Sequence, residues 1–185
     1  MTLTKVRLWT VDEYHRMTAV GVLAPKERVE LIEGQIIPLA AKNPPHAATN
    51  LCAADHFRQI LTGQALVRIQ DPIQLSEYSE PEPDIAVVRL DSRKYIDHHP
   101  APTEIFLLIE VADTTLAFDR GQKANLYAKA GIADYWILDV NDRQIYVLRV
   151  PTPGGYQQET VFGSGSVLVP LAFPEVEVSL QQLFP

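Results

Sequence analysis

Apolar positions recur at two different spacings along this chain, and each change of spacing marks an element. The segment Thr10-Val11-Asp12-Glu13 has the form of a capping box, with Glu13 three residues after Thr10. Leu8 and Trp9 precede it, and Tyr14 and Met17 supply an inward face, so the pattern predicts a short helix over 11–19 that stops near Gly21. Pro25 then interrupts the chain. Over 28–39, RVELIEGQIIPL, strand formers flank Glu33-Gly34 and predict a β-hairpin. Alternation along its first strand puts Glu30 on the same side as Ile32. From 46 to 61 the period becomes helical: Leu51, Ala54, Asp55 and Arg58 form one row, and Ala53, Phe57, Ile60 and Leu61 another, with Gly63 as the stop.

The second half reads mostly as strands. Short candidates lie at 65–70 and 72–75. Pro81 and Pro83 hold the backbone extended, and Asp84 then opens an apolar strand over 85–88. A polar loop covers 89–102. The run 105–109 is continuously apolar, as in a strand covered on both faces, and it ends on Glu110. Asp119 can cap a helix reaching about 129, before Gly131. Further strands are predicted at 134–140, 144–150, 156–162, 166–169 and 176–178, with a loop at 151–155 and Ser179 capping a last helical turn. The segments after about 144 read as β appendages. This mixture predicts an α/β (α+β mixed) fold. With no internal repeat, low-complexity tract or linker, residues 1–185 are read as one domain.

Composition changes the picture little: 46% hydrophobic and 21% charged residues suit a globular core. No apolar run reaches 18 residues, so no membrane-spanning helix is expected. The opening MTLTKVRLWT lacks the apolar centre of a signal peptide. A single cysteine, Cys52, excludes an internal disulfide and a cysteine-rich metal site, and a cytoplasmic protein is the simplest reading. The net charge of −7 argues against a passive nucleic-acid coat, which would draw on Lys and Arg. It does not exclude a nuclease, whose acidic site becomes locally positive when a divalent ion binds.

The candidate chemistry follows from cost. A carboxylate at the end of a buried strand is expensive unless it is paired or binds a cation. Glu110 is such a group, and Asp84 sits at the end of a second apolar strand. On the helix after Glu110, Lys123 shares a stripe with Asp119, Tyr127 and Ala130 and is expected to turn inward; the alternative is a surface pair of Asp119 with Lys123. Two carboxylates at neighbouring strand ends can hold Mg²⁺ or Mn²⁺. A nearby lysine can orient or deprotonate a water and steady charge on a phosphate. Glu30 reads either as a solvated edge residue or as part of this site, and His46, at a helix start, as a surface or a site residue. The pair His98-His99 reads as solvated loop, since adjacent side chains diverge and no third ligand stands at a zinc-type spacing.

The ordered set RVELIEGQII, His46, EPEPDIAVV and LLIEVADTTLAFDRGQKANLYAKAGIADYWILDV resembles the Uma2 (DUF820) family of restriction-type endonucleases. That family is abundant in cyanobacteria and belongs to the PD-(D/E)xK nuclease superfamily. The resemblance runs from the first helix to the closing SLQQLF. It implies a restriction-endonuclease-like mixed central sheet flanked by helices, with extra β-hairpins at both ends. It also implies Asp84 and Glu110 as metal ligands, the backbone carbonyl of Val111 as a third, and Lys123 as the catalytic lysine, with accessory roles for Glu30 and His46. Two positions depart from the pattern. Ala112 stands where a strand lysine is expected, so the lysine is displaced to Lys123. Asp113 stands in place of a serine, either as an extra metal ligand or as a turn cap. The function expected is Mg²⁺- or Mn²⁺-dependent DNA cleavage by a homodimer; the alternative is a catalytically inactive nucleic-acid-binding or regulatory protein on the same fold.

Overall fold

The computed structural model describes residues 6–24 and 26–185; Pro25 and the first half of the opening segment lie outside the described residues. Helix α1 (Val11–Ala19) starts as expected. Thr10 Oγ1 accepts from the Glu13 amide, and the Glu13 carboxylate accepts from the Thr10 amide. Strands β1 (Val29–Ile32) and β2 (Gln35–Pro38) form the predicted antiparallel hairpin. Its turn needs positive φ at both Glu33 and Gly34. Gly34 is also pressed on by Leu8, where an added Cβ would meet the Leu8 Cβ at 2.6 Å, so no larger residue fits. Helix α2 (Pro44–Ile60) begins with two prolines, which the first turn tolerates because its amides have no helical partners.

The central sheet has six strands in the order β3-β4-β5-β6-β7-β8. These are β3 (Leu66–Ile69), β4 (Ile85–Val88), β5 (Ile105–Ala112), β6 (Asp134–Asp139), β7 (Gln144–Thr152) and β8 (Gly155–Phe162). Every neighbouring pair is antiparallel except β5–β6. A parallel pair needs a crossover. Here it is a helical passage made of α3 (Leu116–Phe118), a π turn (Asp119–Lys123) and α4 (Ala124–Lys129).

β5 is covered on both faces, as its apolar run predicts. Leu107, Ile109 and Val111 pack with Ala53, Ala54 and Phe57 of α2. Leu108 and Ala112 pack with Ala124, Leu126 and Tyr127 of α4. Each large side chain so buried contributes about 1.5–3 kcal/mol. Glu110 lies on the α4 face. A short pair, β9 (Val167–Leu168) with β10 (Val178–Ser179), closes the chain.

The mixed sheet and flanking helices agree with the expected fold, but four local expectations are corrected. Residues 72–75 do not join a ladder. Their amides go instead to loop carbonyls, Ile73 to Pro81 and Gln74 to Pro100. Glu110 is not at the strand's end, because β5 continues through Ala112. Asp119 does not cap a helix: the helical passage has already begun at Leu116, and Asp119 opens the π turn. The hairpin after 144 is no appendage. β7 and β8 extend the central sheet, and their turn is shorter than the loop expected at 151–155.

One buried network went unseen in the sequence. The Asp134 carboxylate, fully buried at the start of β6, accepts from Trp136 Nε1 (2.9 Å), Arg149 Nε (2.9 Å) and the Leu171 amide (2.9 Å). It joins β6 and β7 to the segment before β10. Removing the acid strands an indole N–H, an amide and part of a guanidinium. Asp134→Ala is therefore expected to cost about 3 kcal/mol in denaturant unfolding, and Asp134→Asn less than that. A loss under about 1 kcal/mol for the alanine variant would show that the network is dispensable.

Candidate active site

The hairpin, β4, β5 and the helical passage converge on one cleft of about 240 Å³. Glu110 leaves the middle of β5 on the face that α4 covers. Its Oε1 accepts from Lys123 Nζ (3.0 Å) and from the Tyr127 hydroxyl (2.6 Å), and its Oε2 from the Asp84 amide (3.3 Å). Asp84 precedes β4, the antiparallel neighbour of β5. Its Oδ2 accepts from the Val111 amide (2.9 Å) and lies 3.1 Å from His46 Nε2, and its Oδ1 accepts from Gln70 Nε2 (2.9 Å). Glu30, on β1, is buried. One of its oxygens accepts from the Glu82 amide (3.0 Å) and lies 3.7 Å from Lys123 Nζ. Asp84, Glu110, Lys123, Glu30 and His46 are thus brought together. The stripe through Lys123 does turn inward, and the surface-pair alternative is excluded, since Asp119 and Lys123 are both buried.

The spacing makes this possible. Asp119 and Lys123 stand four residues apart at the two ends of the π turn, and both are buried against the sheet. The Asp119 carbonyl, which accepts the wide-turn bond from the Ala124 amide, also accepts from the Tyr135 hydroxyl (3.1 Å), and Thr115 Oγ1 donates to the Asp119 carboxylate (2.6 Å). Asp113 is placed differently. It lines the cleft, but its carboxylate accepts from Asn43 Nδ2 (2.8 Å), beside the start of α2, and no bond from it caps its own turn. Val111 lines the cleft too.

Several site residues were not singled out from sequence. Tyr127 carried a signal, as it stands four residues after Lys123 on the same stripe. Asp119 was read as a cap on the inward stripe, not as an acid of the site. Gln70 follows β3 with positive φ and carried no signal. Arg28, Lys42 and Glu82 stand around the cleft.

Charge is unbalanced here. Six carboxylates line the cleft (Glu30, Glu82, Asp84, Glu110, Asp113 and Asp119) against three fixed cations, Arg28, Lys42 and Lys123. Burial pushes the Glu110 carboxyl up to about 8; Lys123 pulls it back, while Asp84 and Asp119 add to the rise. Burial likewise pushes Asp119 up to about 6. Burial alone would lower Lys123, but the facing charges of Glu110, Glu30 and Asp119 outweigh it and hold the lysine above its ordinary value. One ammonium shared by three acids stays charged yet cannot satisfy all of them. Burial also works against the charged form of Asp84, but the bond and charge of His46, with Gln70 and the Val111 amide, hold its carboxyl below the usual range. The donors are hard oxygens, in excess of the local cations, and they fit a Mg²⁺- or Mn²⁺-type ion.

A mixed sheet with α2 on one face and the α3–α4 passage on the other thus carries an acid cluster beside a buried lysine at their junction. Residues 11–181 match the Uma2 family, described as "Putative restriction endonuclease", and the chain belongs to that family. Among solved structures it is similar to a "putative nuclease belonging to DUF820" from Anabaena variabilis, with a TM-score of 0.70 and 19% identity over 95% of this chain and 97% of that one. That likeness supports the fold. No curated protein matches the chain. Among the described residues, no helix is long and apolar enough to cross a membrane.

The raised Glu110 carboxyl has a consequence for stability. The unfolded chain gives up this proton near 4.5, the folded chain only near about 8. Between those values the fold holds a proton that the unfolded state has lost. Stability in a chelator should therefore fall as pH rises through that window, by at most ~1.4 kcal/mol per unit for this group. Asp119 adds the same sign between 3.8 and about 6. Unfolding followed from about pH 5 to about pH 8.5 should show a shallower decline in Glu110→Gln than in the wild type. Identical slopes would mean that Glu110 is not the source.

Proposed function

We propose that the chain is a divalent-metal-dependent endonuclease that hydrolyses phosphodiester bonds in DNA. The observation that carries this reading is the meeting of Asp84 and Glu110, from adjoining antiparallel strands, with Lys123 bonded to Glu110 at 3.0 Å. Asp84 and Glu110 would hold Mg²⁺ or Mn²⁺, with the Val111 carbonyl as a third ligand. The bound ion would supply Lewis acidity toward a phosphate oxygen.

The chain's own groups do the rest. Glu110 and Asp84 present hard oxygens from rigid strand positions. His46 and Gln70 fix the Asp84 carboxylate. Lys123, held above its ordinary value, serves as a standing cation for phosphate charge rather than as a base. Tyr127 and Glu30 fix where Lys123 and Glu110 sit. Arg28 and Lys42, on the cleft lining, suit backbone phosphates. Cutting both strands calls for two sites, which a symmetric homodimer provides. The single cysteine suits a cytoplasmic setting.

The test is cleavage of plasmid and single-stranded DNA with Mg²⁺ or Mn²⁺, alongside calorimetric metal binding. Asp84→Ala and Lys123→Ala should each lower the rate by at least ~100-fold, the scale of losing a transition-state charge partner. Asp84→Ala should also lose metal affinity, and Lys123→Ala should retain it. DNA binding without metal binding or cleavage would instead favour an inactive nucleic-acid-binding or regulatory protein.

A further inference from the structure

A second cluster of metal-ligating side chains stands outside this cleft. His15 on α1, Glu80 before Pro81, and His99 in the loop after β4 bring ligand atoms that all lie within 4.8 Å of one another. His15 Nε2 is 2.7 Å from Glu80 Oε1. Glu80 is 3% exposed, and its second oxygen, Oε2, is buried without a hydrogen-bond partner. His99 Nδ1 is buried and unpartnered too. A buried, half-satisfied carboxylate beside a buried imidazole nitrogen is costly unless something fills the gap.

The three backbones are well fixed. The capping box sets α1, and the Val11 amide at its start donates to the Glu77 carbonyl (2.8 Å). Glu80 is bridged to Leu31 of β1 through both its amide and its carbonyl. Pro100, next to His99, accepts from the Gln74 amide (3.0 Å). The adjacent His98 turns away toward Glu104. Arg68, a fixed cation whose charge reaches His99, is engaged by Asp71 (3.6 Å). His15 is half exposed, which leaves one side of the cluster open to a water or another small ligand.

We propose that His15, Glu80 and His99 form a second divalent-metal site of the zinc type, separate from the acidic cleft. Two imidazoles and one carboxylate with an open fourth position suit Zn²⁺, and small side-chain rotations bring ligands this close to bond lengths of about 2 Å. Its place in the fold defines what it does. It ties α1 and the loop after β4 to residue 80, four residues before Asp84 on the extended segment that Pro81 and Pro83 stiffen. The site holds the strand carrying Asp84 and takes no part in the chemistry.

Zn²⁺ binding is measured calorimetrically on the full chain in excess Mg²⁺, which occupies oxygen-rich sites but competes poorly for imidazole. Co²⁺ in place of Zn²⁺ provides an absorption readout. The wild type should bind one equivalent of Zn²⁺ per chain and give the intense visible bands of a four-coordinate Co²⁺ ion. His15→Ala and His99→Ala should each weaken Zn²⁺ at least tenfold, and the double variant should lose both the bands and the thermal stabilisation that Zn²⁺ gives the wild type. Asp84→Asn should keep Zn²⁺ and Co²⁺ binding, which separates this site from the cleft. His15 lies on an exposed helix face, so His15→Ala tests the site even if a substitution at His99 disturbs its loop. No Zn²⁺ uptake by the wild type, or equal uptake by His15→Ala, overturns the proposal. Loss of uptake in Asp84→Asn overturns it as well.

Discussion

Glu110 is a carboxylate inside a strand that is otherwise wholly apolar, and the architecture around it follows from the cost of putting it there. A buried acid without partners costs several kcal/mol. The fold supplies an ammonium, a phenol and a backbone amide, and each comes from a different element. Supplying them requires the helical crossover to lie over β5, which in turn makes β5–β6 the one parallel pair in the sheet. The cluster is nevertheless left with more acid than base. That residue of negative charge is the property that suits the site to a cation.

The same economy of position runs through the hairpin. Among the described residues β1 pairs in a ladder with β2 alone, but an isolated bridge from Leu31 to Glu80 sets it beside the segment that leads into Asp84. Glu30 therefore faces Lys123 from one side while Glu80 faces away toward His15. One short strand thus serves two clusters at once.

Much of this was legible in the sequence because burial leaves a periodic trace. The apolar runs before Glu110 and after Asp84 located two strands, and the stripe through Lys123 and Tyr127 oriented the helix. The capping box fixed α1, and Glu33-Gly34 fixed the hairpin. The rest depended on distance along the chain or on helical phase, neither of which local pattern records. Gln70 reaches Asp84 across 14 residues, and His15 reaches Glu80 across 65. Asp134 looked like an ordinary strand start, because two of its three partners, Arg149 and Leu171, lie in later segments. Asp119 looked like a cap because nothing in the local pattern showed the helical passage beginning earlier, at Leu116. The pair His98-His99 was rightly expected to diverge, but the ligands that meet His99 come from α1 and from residue 80, where no spacing rule would look.

The π turn also bears on how the two halves of the crossover sit on the sheet. Such a turn amounts to one residue inserted into an α-helix, and one residue is about 100° of rotation. Asp119 and Lys123, four residues apart, share a side whichever way the turn is wound. What the insertion sets is the phase of α4 against α3: Leu116 and Phe118 before it, and Ala124 and Tyr127 after it, all pack in one cluster on the same face of the sheet. The Asp119 carbonyl takes both the wide-turn bond from the Ala124 amide and the Tyr135 hydroxyl. A single-residue deletion between 119 and 123 would turn one half by about that angle against the other and lift one pair of side chains off the sheet. The length of this turn thus gears the two halves of the crossover to each other.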